Sequence, residues 1–189
     1  MRGARSALGR IFPAVRAYTY CTMENKFVVV KFNRRDILSY ILYGFVPAIL
    51  GAAVGIFADT AGYARLKLPP LAVPASAFSA IWGGLFVLSG WASYLVIRDT
   101  RAMNVKKFDR SVVAYFISLA MNYLWPFIFF NLGFHLLAAL WLLLYCGVCV
   151  YFSLRFFKIN KNAGLMTIPQ LVWILYCLYL NVAILITSL

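Results

Sequence analysis

Five apolar stretches, at about residues 37–58, 77–97, 111–130, 133–154 and 165–187, contain no Asp, Glu, Lys or Arg. Each runs for about 20 residues, and at ~1.5 Å of rise per helical residue that length crosses the ~30 Å hydrocarbon core of a bilayer. Lipid offers the backbone no hydrogen-bond partner, so a spanning segment must satisfy its own N–H and C=O groups, and helices do so. The chain is therefore expected to be all-α and integral to a membrane, a bundle of five transmembrane helices. Composition agrees: 64% of its 189 residues are hydrophobic and 12% charged, too little polar surface for a soluble domain of this length.

The net charge of +13 raises nucleic acid as a partner, but the placement of the charges argues against it. All 18 Lys and Arg fall in four clusters that the apolar stretches separate. Eight precede the first stretch, five lie in loop two and three in loop four, whereas loop one holds only Arg65 and Lys67 and loop three none. Basic residues mark the cytoplasmic side. The pattern puts the N-terminus and loops two and four inside, and loops one and three and the C-terminus outside. The partner is the lipid bilayer. Residues 1–36 form a basic N-terminal segment and 37–189 the transmembrane domain. The first 22 residues carry four Arg and no acid, as a mitochondrial presequence would. Gly3, Gly9 and Pro13 break an amphipathic helix there and favour an extension before Met23 without a targeting role.

Several stretches carry polar or aromatic groups into the apolar spans. Ala120–Phe130 reads AMNYLWPFIFF. Asn122 needs a partner, because an unpaired amide in hydrocarbon costs several kcal/mol, on the order of. It either joins helices or faces a ligand. Pro126 cannot donate to the Asn122 carbonyl, which predicts a bend, and Trp125 and Phe129 supply aromatic walls. The second span has Gly83, Gly84 and Gly90 for close backbone approach, with Trp82 at its outer end as either a belt residue or a pocket wall. The fifth carries Trp173 and, eight residues on, Asn181. In the first span GAAVG, Gly51–Gly55, is a small-x-x-x-small pattern for packing inside the bundle or between two copies. Loop one, with Pro69, Pro70 and Pro74, is either a stiff lid or a plain connector. Asn131 and Leu132 alone separate the third and fourth spans, which must form a tight hairpin. His135 suits a solvated or capping role. Cys146 and Cys149 share a helix face without a His or acidic neighbour, and read as packing residues. Catalytic triads, phosphate loops, HExxH and paired carboxylates are all missing from the sequence. No catalytic or metal-ligating residue is assigned and no cofactor is required. The residues suit an apolar, aromatic cavity open or lidded on the outside.

Three blocks resemble the translocator protein family, also called the peripheral-type benzodiazepine receptor or tryptophan-rich sensory protein family. VPASAFSAIWGGLFVLSGWASYLV is similar to its proline-then-VWG…GxxSYLV block, AMNYLWPFIFF to LNxxWxPxFF, and IPQLVWILYCLYLN to PYLxWxxxxxxLN. The blocks keep their order and spacing over residues 37–187. The resemblance implies a five-helix bundle, often a homodimer, binding porphyrins, haem, sterols and drug-like molecules beneath loop one. It places Trp82, Asn122, Trp125, Phe129, Trp173 and Asn181 at the ligand. Leu137 stands where many members have Trp, loop one has no Trp, and VAILITSL after Asn181 lacks the Tyr and basic residue of a sterol motif. Leu137 and the Trp-free loop one reduce the stacking expected on a porphyrin, the absent motif weighs against sterols, and the lack of a basic C-terminal tail resembles bacterial members, so a bacterial cell membrane is expected, with the mitochondrial outer membrane as the alternative. Three functions stay open: a sensor-like receptor, a porphyrin-degrading enzyme acting through Trp82 and Trp173, and a small-molecule transporter.

Overall fold

The structure is a computed structural model describing residues 34–58, 62–63, 66, 68–102 and 110–188. Residues 1–33 of the N-terminal segment, with its targeting alternative and Cys21, and Arg65, Lys67, Lys106 and Lys107 lie outside the described residues; residues 34–36 open the first helix.

Five long helices carry the apolar stretches: α1 (Arg34–Phe57), α2 (Ala75–Ala102), α3 (Arg110–Pro126), α4 (His135–Ile159) and α5 (Lys161–Ser188). All five are long and apolar enough to cross a membrane, so the chain is a five-helix membrane bundle. α2, α4 and α5 run past the apolar stretches on their basic side. The connection expected at about 155–164 shrinks to Asn160. Lys and Arg are good helix formers that can reach water from beyond the hydrocarbon edge, so the helices continue there. Asn160 caps α5 by accepting from the Ala163 N–H at 3.0 Å, and its Nδ2 donates to Asp99 at 2.7 Å. Asp99 also pairs with Arg98 at 2.9 Å.

α3 does not simply bend at Pro126. It widens into a π-helical turn over Phe127–Asn131, closed by Leu132 N–H donating to the Phe127 carbonyl at 3.0 Å. The missing proline N–H removes one i→i−4 bond, and the wider turn re-pairs the backbone that follows. Gly133, in the left-handed region at φ 64°, then turns the chain into α4, giving the tight hairpin.

Round the bundle the neighbours run α1, α2, α5, α4, α3, and α1 meets α3 only sparsely. Of the most apolar stretch of α1 only 11% is buried, against 56% for α2. α1 and α2 approach closely where Gly90 faces the Tyr43 carbonyl and Gly44 faces Trp91. Gly51 lies against Phe86 of α2, so this glycine of the GAAVG pattern packs inside the bundle. Gly83 and Gly84 do not serve close packing as expected: a side chain at either would meet nothing within 4 Å. Gly84 is exposed and Gly83 borders empty space.

Candidate functional site

The sparse α1–α3 contact leaves a cavity of about 420 Å³. Its wall comes from Ala48–Ile56 of α1, Ala75–Phe86 of α2 and Asn122–Phe130 of α3 with its π turn, together with Tyr63 of loop one. These are the ends of α1, α2 and α3 nearest loop one. Tyr123 reaches across the seam and donates to the Pro47 carbonyl at 2.7 Å, tying α3 to α1. Trp82 and Phe86 stack at 5.8 Å on one side, and Trp125 and Phe130 face it from α3. Among the described residues the lining holds no charged side chain and no His or Cys; its polar side chains are Ser79, Asn122, Tyr63 and Tyr123.

Loop one is fastened across the bundle and is more than a connector. Tyr176 of α5 donates to the Leu71 carbonyl at 2.9 Å and accepts from the Val73 N–H at 3.0 Å. Tyr179 donates to the Pro70 carbonyl at 2.7 Å. Leu71 sits in the left-handed region at φ 68°, which costs a non-glycine residue about 1–2 kcal/mol, offset by these bonds. Tyr63 stacks on Phe78 at 5.1 Å and donates to the Val73 carbonyl at 3.0 Å. Burial raises the Tyr63 pKa above its ordinary value, so the phenol keeps the proton it donates.

The predicted residues fall into three groups. Trp82, Asn122 and Trp125 line the cavity. Trp125 also borders a second, smaller void, where Phe129 and Asn181 lie; Phe129 stacks on Trp125 at 5.1 Å and does not reach the main cavity. Trp173 stands one layer back, against Trp82 edge-to-face at 6.4 Å and Phe78 at 5.5 Å. It borders neither space.

Asn122 joins helices, one of the two roles weighed for it, and also borders the cavity: its Nδ2 donates to the Tyr145 hydroxyl of α4 at 2.9 Å. Gln170 of α5 donates to the same hydroxyl at 2.7 Å and lies 3.7 Å from Cys149 Sγ. Tyr145 is thus a buried hub joining α3, α4 and α5. Sequence reading missed Tyr145 and Gln170. Gln170 was detectable as a third amide inside an apolar span, whereas nothing in the spacing singles out one tyrosine among 12. Also missed were Tyr63, Phe78, Phe86 and the small residues of α1, because composition does not tell cavity lining from lipid-facing surface. His135 is half-buried: its ring packs 4.8 Å from Phe129, and its Nδ1 finds no hydrogen-bond partner among the described residues.

Residues 43–186, which include the whole cavity lining, match the TspO/MBR family. The chain belongs to the TspO/MBR family. Members similar to it come from distant organisms. The translocator protein homolog of Schizosaccharomyces pombe is 28% identical over 137 residues, 72% of this chain and 84% of that protein. CrtK of Rhodobacter capsulatus is 28% identical over 150 residues, 77% and 89% of the two chains. The human translocator protein is 29% identical over 122 residues, 63% and 70%. All five helices of this TspO/MBR chain fall wholly or largely within the matched range.

Proposed function

We propose that this chain binds flat, hydrophobic molecules, porphyrins and other tetrapyrroles foremost, in the cavity between α1, α2 and α3, and acts as a sensor-like membrane receptor. The observation that carries this reading is the cavity itself. Its ~420 Å³ lies within the roughly 300–1,000 Å³ of small-molecule sites, and such sites are mostly apolar with a few polar groups. Aromatic faces from two helices and loop one suit a planar ring system. An uncharged wall suits the neutral body of a macrocycle, whose carboxylates would stay at the mouth. The described lining has no imidazole or thiol, and the hydroxyls of its two tyrosines, Tyr63 and Tyr123, are engaged with the Val73 and Pro47 carbonyls; holding the macrocycle by its faces, without a ligand to an iron, therefore favours metal-free porphyrin over haem. The charge pattern supports loop one on the outer face, and we take the membrane to be a bacterial cell membrane.

Titrating the purified protein in nanodiscs with protoporphyrin tests the reading. Tryptophan fluorescence is expected to quench saturably at one porphyrin per chain. Quenching that rises linearly, as in protein-free nanodiscs, refutes it. The Trp82–Trp173 contact is what favours the enzymatic alternative. Light-dependent loss of bound-porphyrin absorbance with a new product would select that alternative, and vectorial flux into liposomes would select a transporter.

A further inference from the structure

The five helices do not close a ring. α1 packs on α2, α2 on α5, α5 on α4 and α4 on α3, but α1 and α3 meet only sparsely, and the cavity lies behind that loose junction. Its α1 wall runs about 12 Å, from Ala48 to Ile56, at ~1.5 Å per residue. Ala52 and Ile56, one turn apart on that wall, are both exposed, Ile56 at 79%. A side chain that borders a cavity and is so exposed stands at the rim of an opening. On the α3 side the lining residues Tyr123, Pro126 and Phe130 are half-buried. Both rims stand on membrane-length helices, so the opening faces lipid of the outer leaflet. α1 can yield there. Pro47 has no N–H for the Tyr43 carbonyl, and Gly90 of α2 meets that carbonyl instead. A proline is where a helix hinges. On the inner side of Pro47, α1 is held to α2 by this contact and by Gly44 against Trp91. On the outer side its wall is Gly51, Ala52, Val54 and Gly55, with little side chain to interlock. The Tyr123 bond to the Pro47 carbonyl, at 2.7 Å, closes the inner end of the seam. The aqueous end is held more firmly, since Tyr63, Tyr176 and Tyr179 fix loop one with four hydrogen bonds.

We propose that the α1–α3 seam is a lateral portal, through which a flat apolar ligand enters and leaves the cavity from the outer leaflet, and not from water past loop one. The inference rests on the cavity being the ligand site. The portal opens when the outer half of α1 tilts away at Pro47 and Tyr123 gives up its bond. A ring system dissolved in lipid slides in edge-on without showing its apolar faces to water. The seam reaches the outer end of α1, so carboxylates on the ring edge stay at the interface throughout.

A portal governs entry and release together, whereas a binding contact acts mainly on release. The full chain in nanodiscs is loaded with protoporphyrin. Its release into excess protein-free nanodiscs gives koff, the tryptophan titration gives Kd, and their quotient gives kon. Ala52→Phe narrows the rim from a lipid-facing position. It is expected to slow both rates at least about fivefold, the least that forcing an extra ring into a packed passage costs, with no tighter Kd. Tyr123→Phe removes the bond across the seam and is expected to speed both rates about three- to twentyfold, the worth of one interhelical hydrogen bond. Tyr179→Phe, which loosens loop one, should leave both within about twofold, as for a site outside the path. A parental kon in either seam variant makes that residue a contact only; it overturns the portal and leaves the cavity reading intact. Faster entry and release in Tyr179→Phe make loop one the route and overturn it too. If the parent shows no saturable porphyrin binding, the portal and the cavity reading fall together.

Discussion

Gly83 offers the sharpest test of the cavity as the ligand site. It borders the cavity one residue from Trp82, and a side chain there would meet nothing within 4 Å. Gly83→Leu therefore projects an isobutyl group into open space without displacing a neighbour. Its effect on stability and on binding should have opposite signs. Replacing glycine within a helix is worth up to about 1 kcal/mol. Filling the cavity adds dispersion contacts, while the hydrophobic term is small because lipid tails are as apolar as the new side chain. A gain of about 1 kcal/mol raises the melting temperature by roughly 2–4 °C in a chain of this size. Binding moves the other way. The leucine stands between a planar ligand and the Trp82–Phe86 stack. Losing two ring contacts at about 0.5–1.5 kcal/mol each removes about 1–3 kcal/mol, or roughly five- to 150-fold in Kd. Thermal denaturation in detergent and the porphyrin titration read the two halves. A stabilised variant with unchanged porphyrin affinity refutes the reasoning, because the ligand would then lie elsewhere. A strongly destabilised variant refutes it too, because the space beside Gly83 would not be open.

Two further outcomes follow from other parts of the bundle. Tyr145→Phe strands the Asn122 and Gln170 donors; at about 0.6–1.7 kcal/mol per interhelical bond in a membrane, the loss of about 1–3 kcal/mol should lower the melting temperature by roughly 3–10 °C. Asn122→Ala should lower it less, and a Tyr145→Phe protein melting with the parent would show that the hub does not hold the helices. For orientation, Leu132→Cys in a cysteine-free background should react with a membrane-impermeant maleimide in intact cells and Lys158→Cys should not; the reverse pattern inverts the bundle.

Much of the fold is legible in the sequence because lipid imposes a harsh rule. Five uncharged runs of bilayer length must be helices, and two residues between Phe130 and Gly133 leave only a hairpin. Side chains such as Trp82, Asn122, Trp125 and Asn181 are also conspicuous in apolar runs, since hydrocarbon penalises polar atoms and few residues break its monotony. Their grouping was not legible. Asn122 and Asn181 look alike on paper, yet one is tied to Tyr145 and the other finds no side-chain hydrogen bond among the described residues, and Trp173 lies behind the wall that Trp82 forms.

What the sequence determined by itself was the class of fold, the number of crossings and a short list of residues out of keeping with lipid. The tertiary structure decided the rest: that α1 and α3 part to leave a cavity, that Gly83 borders space instead of a neighbouring helix, that Tyr176 and Tyr179 strap loop one, and that the Asn181 amide has no hydrogen-bond partner among the described residues. The physical reason is that a membrane acts on each segment separately and so can be read locally. Cavities and unpaired atoms arise from mismatches among several helices, and a linear pattern carries no record of which surfaces fail to meet.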